Sequence, residues 1–241
     1  MTYIPENTSR NTHNKVAELL LTTAVHQKIL DIPSGHGAFT KRMIDKGIEV
    51  FSGDIENILK IDNPRFAITD MNLPLPFEDD FFDTIVCIDG IEHLERQFDF
   101  TRECYRILKP EGSFIISTPN INSLRSRWRW FLTGHHNKCK SPLNETKPSA
   151  LHHIALLSFS HLRYMLHSAK FKIEIITTNR IKPINWLYLP WVPLAFARSW
   201  WVFRMEEKDP NQKGRNKEIL KQLFRKEVLF GETLIVKARK I

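Results

Sequence analysis

The sequence predicts an α/β fold with a doubly wound, mostly parallel sheet and inserted cap segments. From residue 29 to residue 119, short apolar runs alternate with segments of helical periodicity. This alternation produces right-handed crossovers between parallel strands. Several of the apolar runs end in an acid, which places carboxylates along one edge of such a sheet. The length of 241 residues suits a single domain with insertions and is enough to bury a full hydrophobic core.

The first elements in the chain are predicted to be a helix, a strand and a loop with two glycines. Apolar residues recur at helical spacing between residues 11 and 25, which predicts a helix. The apolar run at residues 29–32 then leads into a turn that holds Gly35 and Gly37. Because glycine has no Cβ, this turn can bend sharply and lets a nucleotide-like ligand lie against the main chain.

Four strand-like runs in this region each end in an aspartate. In chain order these residues are Asp31, Asp54, Asp70 and Asp89. Asp54 lies a little over twenty positions beyond Asp31, where a neighbouring parallel strand would present two carboxylate oxygens to the adjacent hydroxyls of a ribose. The four carboxylates predict one ligand site along the carboxyl edge of the sheet.

The later patterns complete the sheet and leave two segments outside it. Helices are predicted at residues 91–108 and 158–169, and strands at residues 83–89, 113–117, 171–177 and 228–236. The two inserts, residues 120–157 and residues 179–215, hold all six tryptophans of the chain. Because such segments often carry function, the properties that the sheet does not dictate are expected there.

Three motifs follow one another in the first half of the chain. They are D-x-x-x-G-x-G at residues 31–37, E-H-L at residues 92–94 and R-x-L-K-P-x-G at residues 106–112. With these motifs in this order, residues 29–120 resemble the class I S-adenosylmethionine-dependent methyltransferases. Glu111 stands where that family usually has glycine, so the turn there is expected to be less tight.

The resemblance implies a Rossmann-like fold in which the last strand is antiparallel and lies beside the sixth. It also implies S-adenosylmethionine as methyl donor. One domain, residues 1–241, is then expected to have four parts. These are an N-terminal helix and lid over the cofactor site (1–26), a cofactor-binding core (27–119), a basic aromatic insert (120–157) and a C-terminal part (158–241) that contains the aromatic insert 179–215.

The resemblance also implies which residues bind the cofactor. They are Asp31, Gly35, Gly37, Asp54, Asp70, Met71 and Asp89. The first aspartate orients the loop and the methionyl ammonium, and the two glycines let the main chain lie against the methionyl part. Asp54 binds the ribose. Asp70 binds the adenine edge together with the main-chain N–H of Met71. The alternative role of Met71 is core packing. A sulfonium ligand is cationic, so a row of acids suits it.

Histidines and arginines supply the candidate acceptor site. Methyl transfer needs alignment more than a strong nucleophile, but a hydroxyl acceptor benefits from a base, and histidine is suited to this near neutral pH. His93, after the fourth strand, and His153, in a family-like H-I pair, are the candidates; the alternative for His93 is a helix-start residue held by hydrogen bonds. His152, Arg125 and Arg127 are assigned to the acceptor, because guanidinium groups suit phosphate or carboxylate. The alternative for the arginines is a solvated loop.

The histidines and cysteine of the first insert do not predict a metal site. The candidate ligands are His135, His136, Cys139, His152 and His153. Their spacing matches no tetrahedral pattern with two ligand pairs. The sequence therefore predicts no bound metal.

Cysteine content and hydropathy predict a reduced, cytoplasmic setting. The three cysteines are an odd number and show no C-x-x-C spacing. The first ten residues are polar and lack the apolar core of a signal peptide. No run reaches the roughly 18–20 apolar residues of a membrane-spanning helix.

Residues 186–204 are rich in aromatic side chains and are flanked by arginines. Tryptophan and tyrosine favour the headgroup depth of a membrane, and a net charge of +8 with a pI near 9.4 favours an anionic partner. The segment therefore predicts peripheral contact with an anionic membrane, on its inner face. The alternative is a hydrophobic lid packed on the sheet edge or on a second subunit.

The expected function is methyl transfer from S-adenosylmethionine to oxygen of a glycan, a lipid-linked compound or another small molecule. A nucleic-acid methyltransferase is the first alternative. Against it, residues 89–92 lack the N-P-P-Y or D-P-P-Y motif of amino-methylating enzymes and a Pro-Cys nucleophile. A non-catalytic membrane-docking or scaffold protein with a vestigial cofactor site is the second alternative, which the intact set of glycines and aspartates disfavours.

Overall fold

The computed structural model describes residues 3–21, 27–138 and 142–241 and contains one seven-stranded sheet. In chain order the strands are β1 (Lys28–Asp31), β2 (Glu49–Asp54), β3 (Phe66–Ile68), β4 (Phe82–Ile88), β5 (Leu108–Pro119), β6 (Phe171–Thr178) and β7 (Thr233–Lys240). Their order across the sheet is β3-β2-β1-β4-β5-β7-β6. The first five strands pair in parallel, and β7 is antiparallel to both β5 and β6. The predicted fold class is confirmed, including the antiparallel strand beside the sixth.

Helices cover both faces of the sheet and form the inserts. They are α1 (Thr12–Leu21), α2 (Ala38–Ile44), α3 (Gln97–Ile107), α4 (Leu124–Thr133), α5 (Phe159–Ser168), α6 (Val192–Met205), α7 (Pro210–Leu223), α8 (Lys226–Phe230) and the 3₁₀ helices Ile91–His93 and Pro183–Trp191. Among the residues that the structure describes, no helix is both long and apolar enough to cross a membrane.

Apolar side chains of each strand alternate between two cores. One core contains Leu30, Ile85 and Phe114, all fully buried, and it is covered mainly by α3 and α5. The other core contains the strand residues that alternate with these, together with Val16 of α1 and Phe39 of α2. Each such side chain contributes about 1.5–3 kcal/mol on burial. The two cores fix the carboxyl ends of the parallel strands, from which the loops of the candidate site project.

The helix predicted at residues 91–108 is interrupted. A 3₁₀ turn ends at His93, and α3 begins at Gln97. Between them the side-chain oxygen of Asn72 accepts hydrogen bonds from the main-chain N–H groups of Glu95 (3.0 Å) and Arg96 (3.1 Å). These N–H groups are therefore satisfied by a distant loop, which lets the chain leave helical geometry there.

The strand predicted at residues 228–236 begins later than expected. Its first three residues are buried in α8, and the strand starts at Thr233. A short apolar run does not by itself distinguish a buried strand from a buried helix. Gly231 separates the two elements, and a Cβ there would lie 2.2 Å from the carbonyl oxygen of Glu227.

Two smaller expectations also change. The N-terminal helix is described from Thr12 to Leu21, and residues 22–26 lie outside the described part of the chain. Glu111 adopts a left-handed conformation with φ of 64°, a region that glycine enters at lower cost. The turn before the main part of β5 therefore keeps at Glu111 the backbone conformation that a glycine would adopt there.

Candidate functional site

The carboxyl ends of β1, β2 and β4 open onto a cavity of about 430 Å³, here called the main cavity. This volume lies within the roughly 300–1,000 Å³ of ligand sites. Its wall comes from the loops after these strands, from N-terminal residues 5–8 and from residues 150–151. The position outside the carboxyl edge of a parallel sheet is the usual ligand position in doubly wound folds.

The main cavity brings together most of the site residues expected from the sequence. Its wall includes Asp31, Gly35, Asp54, Asp70, Met71, Asp89 and His93. Gly37 lies in the same loop but is not among the residues of this wall. Its φ is 83°, and a Cβ there would lie 3.0 Å from side-chain atoms of Leu59 and Ile61. Gly37 thus shapes the turn and lets that loop pack closely.

Gly35 is the point where the main chain is most open to a ligand. Its φ is 52°, and a Cβ built on it would meet no atom within 4 Å. Its N–H donates a hydrogen bond of 2.8 Å to Oδ2 of Asp54. The second carboxylate oxygen of Asp54 accepts from the N–H of Ile55 at 2.8 Å. These bonds hold the loop after β1 against the end of β2, with Asp54 on the cavity wall.

Asp31 is a buried acid with 1% of its surface exposed. Its Oδ2 accepts a hydrogen bond of 2.6 Å from the Thr40 hydroxyl. Burial raises the pKa of Asp31 to about 7, with a further increase from Asp54, although the hydrogen bonds from Thr40 oppose the shift. A cationic ligand group beside Asp31 would favour the ionised carboxylate. The site is therefore suited to a positively charged ligand.

The N-terminal segment before α1 covers the main cavity. Asp89 has φ of 46°, and its carboxylate accepts hydrogen bonds from Ser117 Oγ (2.6 Å) and Thr8 Oγ1 (2.5 Å). This contact ties residues 5–8 over the end of β4. The helix predicted to cover the site instead packs into a core, and only its His13 reaches the cavity wall.

Glu92 is a site residue that the sequence interpretation did not select, although it lies in the E-H-L motif. It has no exposed surface, and its Oε2 accepts a hydrogen bond of 3.1 Å from Thr118 Oγ1. Its Oε1 is buried without a hydrogen-bond partner in the described structure. Burial, and then the charge of Asp89, raise the pKa of Glu92 well above its usual range.

His93 and His153 meet beside this carboxyl group. Their ring centroids are 4.8 Å apart, and His93 lies on the wall of the main cavity. Nδ1 of His93 lies 2.9 Å from the carbonyl oxygen of His152. Because a carbonyl can only accept, Nδ1 carries a proton, and in the corresponding neutral tautomer the lone pair is on Nε2. His152 contributes its main chain to this contact.

The ring of His153 is half-buried, and its Nδ1 has no hydrogen-bond partner among the described residues. Burial, and then the neighbouring His93, lower the pKa of His153. His153 is therefore held in the neutral form, which can accept a proton or bind a cation. Glu92, His93 and His153 together are called the Glu-His-His cluster below.

The two arginines predicted to bind the acceptor have different surroundings. Neither Arg125 nor Arg127 is part of the main cavity wall. Arg125 lines a second cavity of about 200 Å³ together with Lys138, Lys182 and Glu232. Burial lowers the pKa of Arg127. The folded chain places these arginines on α4, outside the main cavity.

The second cavity contains a buried acid with three cationic partners. Glu232 pairs with Lys138 at 3.0 Å, Arg180 at 2.5 Å and Lys182 at 2.8 Å. Although burial opposes ionisation, these hydrogen bonds lower the pKa of Glu232 to about 2. Lys138 also donates to Ser9 Oγ at 2.9 Å, which attaches the N-terminal segment. Of the candidate metal ligands in this insert, Cys139 lies outside the described part of the chain.

Comparisons with known proteins extend these observations. Residues 30–116 match the family described as a methyltransferase domain. A probable S-adenosylmethionine-dependent methyltransferase of Mycolicibacterium smegmatis is 29% identical over 167 residues, covering 67% of this chain and 58% of that protein. The ubiquinone/menaquinone biosynthesis C-methyltransferase of Pectobacterium atrosepticum is 33% identical over 116 residues, covering 41% of this chain and 46% of that protein. The chain spans about half the length of these relatives.

A solved structure shares the whole architecture. A SAM-dependent methyltransferase from Archaeoglobus fulgidus superposes with a TM-score of 0.55 and 19% sequence identity. The superposition covers 95% of this chain and 92% of the other. At this identity the likeness concerns the fold alone.

Proposed function

Since the chain belongs to the class I S-adenosylmethionine-dependent methyltransferases, we propose that it transfers a methyl group from this cofactor to a hydroxyl oxygen of a small, glycan or lipid-linked acceptor. The observation that carries the proposal is the composition of the main cavity. Two strand-end acids, Asp31 and Asp54, flank the open main chain at Gly35, and His93 lies on the same wall.

The proposed cofactor position follows from the shape and charge of this wall. Asp31 receives the methionyl ammonium, because a cation next to this buried acid offsets the cost of ionising it. Asp54 accepts hydrogen bonds from the ribose hydroxyls. Asp70 and Met71, which follow β3, border the adenine. The sulfonium is then placed between Gly35 and the end of β4, near Asp89.

The proposed acceptor position is beside the Glu-His-His cluster. The acceptor oxygen forms a bond to the methyl carbon while the carbon–sulfur bond breaks and its electron pair returns to sulfur, which leaves S-adenosylhomocysteine. Alignment supplies most of the rate. The proposed site of proton loss is beside His93 and His153, whose ring centroids lie 4.8 Å apart. A lipid-like acceptor is supported by the quinone-biosynthesis relative, and an oxygen nucleophile is supported by the two histidines.

His153→Gln is expected to reduce methyl transfer by about 100-fold, the usual effect of losing a group that assists proton removal. Transfer is measured with tritiated S-adenosylmethionine and a panel of phenols, quinols, glycans, nucleic acids and membrane lipids. Affinity for S-adenosylhomocysteine, measured by calorimetry, is expected to be unchanged. His135→Gln, at an exposed histidine outside both cavities, is the matched control and is expected to behave as the wild type.

Several outcomes would contradict the proposal. Full activity in His153→Gln would remove the histidine from the reaction. Transfer to carbon, nitrogen or nucleic acid, with none to hydroxyl compounds, would overturn the assignment of an oxygen acceptor. Tight binding of S-adenosylhomocysteine with no transfer to any acceptor would favour a scaffold with a vestigial site.

We further propose that the aromatic inserts contact an anionic membrane surface. The two inserts meet where the rings of Trp128 and Trp191 lie 5.6 Å apart. α6 has no buried residue. It is attached by Phe196 against Phe224 at a centroid distance of 5.1 Å and by the partly buried Val192 and Ala195, which pack against the cluster that contains Leu229. Large apolar side chains remain exposed on α4, the second 3₁₀ helix and α6, among them Phe131, Leu187 and Trp201.

Charge favours a membrane over a second copy of the chain as the occupant of this surface. Exposed arginines lie among the exposed aromatics: Arg129 on α4, and Arg198 and Arg204 on α6. The Arg204 guanidinium lies 5.2 Å from the ring centroid of Trp200. A like-charged surface of a second copy would repel this one, whereas anionic headgroups attract it.

The double variant Leu187→Ala/Trp201→Ala is expected to bind anionic vesicles roughly 30-fold more weakly, since each substitution removes an apolar contact of about 1–2 kcal/mol. Co-sedimentation with phosphatidylglycerol vesicles at low and high salt measures the effect. Tyr164→Ala, an exposed aromatic residue on α5, is the control and is expected to bind normally. Wild-type protein that stays in the supernatant at low salt, or that forms dimers through this surface, would contradict the proposal.

A further inference from the structure

We propose that the Glu-His-His cluster holds a divalent metal ion beside the methyl-donor position. The inference rests on the proposed function and adds to it the group that prepares the acceptor. One ligand atom from each of Glu92, His93 and His153 can be chosen so that all three lie within 4.8 Å of one another. Two imidazoles and one carboxylate are a ligand set typical of Mn²⁺, Fe²⁺ and Zn²⁺.

Two of the three ligands have buried atoms without a partner. Glu92 is completely buried, yet its Oε1 makes no hydrogen bond in the described structure, and the same holds for Nδ1 of His153. Buried polar atoms are nearly always hydrogen-bonded, because an unpaired one loses its interaction with water. A cation between these two atoms would provide a partner for both at once.

The third ligand is already oriented by a backbone carbonyl. Nδ1 of His93 lies 2.9 Å from the carbonyl oxygen of His152, which places the lone pair on Nε2. A metal-bound histidine commonly donates its other ring nitrogen to a carbonyl or carboxylate in this way. His93 is also the member of the cluster on the wall of the main cavity. An ion bound here would therefore have open positions toward the cavity.

Charge and distance are compatible with such an ion. Glu92 lies close enough to Asp89 for the two carboxyl groups to repel each other, and a divalent cation between Glu92 and the imidazoles would reduce this repulsion. Metal–ligand distances of about 2.0–2.2 Å require the ligand atoms to lie roughly 3–3.5 Å apart. From separations within 4.8 Å, this is a contraction of at most about 1.8 Å, which rotation of the two imidazole side chains would have to supply.

The sequence could not indicate this site. The candidate ligands in the sequence, His153 among them, all belong to the first insert, whereas Glu92 and His93 lie about sixty residues before His153. The main-chain bond from Ala155 N–H to the Glu92 carbonyl, 3.0 Å, brings the insert back to the end of β4. The fold thus assembles the ligands from two distant segments.

In the proposed reaction the ion binds the acceptor hydroxyl. A divalent cation lowers the pKa of a bound hydroxyl, so the proton leaves to solvent and the oxygen remains as the nucleophile. That oxygen attacks the methyl carbon, and the carbon–sulfur bond breaks as described above. The ion undergoes no redox change and takes no part in cofactor binding.

Metal binding to the full chain tests this inference without any activity measurement. Protein stripped with chelator and dialysed is titrated with MnCl₂ by electron paramagnetic resonance and with ZnCl₂ by calorimetry. We expect one ion per chain. The isosteric variant Glu92→Gln and the variant His153→Ala are each expected to bind at least about 10–100-fold more weakly, the usual cost of losing an element of a metal site. His135→Ala, the matched control, is expected to bind as the wild type.

Titration of the same samples with S-adenosylhomocysteine separates this inference from the proposed function. Wild-type protein that binds S-adenosylhomocysteine but shows no saturable Mn²⁺ or Zn²⁺ binding would overturn the metal site alone. Equal metal binding by wild type, Glu92→Gln and His153→Ala would also overturn it. Failure to bind S-adenosylhomocysteine, with the metal titration as expected, would count against the proposed function and leave the metal site standing.

Discussion

Asp54→Ala is expected to weaken binding of S-adenosylhomocysteine about 100-fold. Each hydrogen bond to a charged group contributes about 1.5–3 kcal/mol, and Asp54 is proposed to bind two ribose hydroxyls. The substitution also removes the acceptor of the Gly35 N–H at 2.8 Å, which loosens the loop on which the cofactor lies. Isothermal titration calorimetry measures the change.

Two further variants sharpen this test. Asp54→Asn keeps an acceptor for the Gly35 N–H but loses the charge, so we expect an intermediate loss of about tenfold. Asp62→Ala, an exposed aspartate in the following loop, is the matched control and is expected to bind normally. An Asp54→Ala protein with wild-type affinity would show that the ribose does not lie at the end of β2.

Gly90→Ala is expected to lower the free energy of unfolding by about 3 kcal/mol, the upper part of the range for inserting a methyl group into a packed site. A Cβ on Gly90 would lie 2.3 Å from Cδ and 2.8 Å from Cγ of Pro33. Both residues line the main cavity, and a proline ring cannot rotate away. The loops after β1 and β4 must therefore separate, which should also reduce affinity for S-adenosylhomocysteine. Urea unfolding followed by circular dichroism measures the stability.

Gly214→Ala is the matched control for this prediction. Gly214 lies within α7, and a Cβ there would meet no atom within 4 Å. Because alanine has the higher helix propensity, this substitution is expected to raise the free energy of unfolding by about 0.5–1 kcal/mol. If the Gly90→Ala protein were as stable as the Gly214→Ala protein, the loops after β1 and β4 would not be in close contact at Gly90.

The sheet and the cofactor side of the candidate site are local features, and local patterns could predict them. An apolar run followed by an acid places Asp31 at the end of β1 and Asp54 at the end of β2, because parallel strands all end at the same edge. A small-residue turn after β1 could also be anticipated. The separate roles of Gly35 and Gly37 could not, since the contact of Gly37 with Leu59 and Ile61 depends on a loop over twenty positions away.

The acceptor side depends on contacts between distant segments. Glu92 was not selected because its burial and its unpartnered oxygen are visible only once Thr118 and His153 surround it. The charge of the α4 arginines predicts an anionic partner but not their position, and the fold directs Arg125 to the second cavity. The N-terminal lid was likewise assigned to a helix, although the hydrogen bond from Thr8 to Asp89 fixes the segment before it.

A crystal structure of the full chain grown with S-adenosylhomocysteine tests the central claim most directly. We expect one molecule in the main cavity, with its ribose hydroxyls on Asp54, its ammonium beside Asp31 and its sulfur facing the side of the cavity that holds His93. A main cavity left empty at saturating ligand, or a ligand bound away from the ends of β1 and β2, would contradict it.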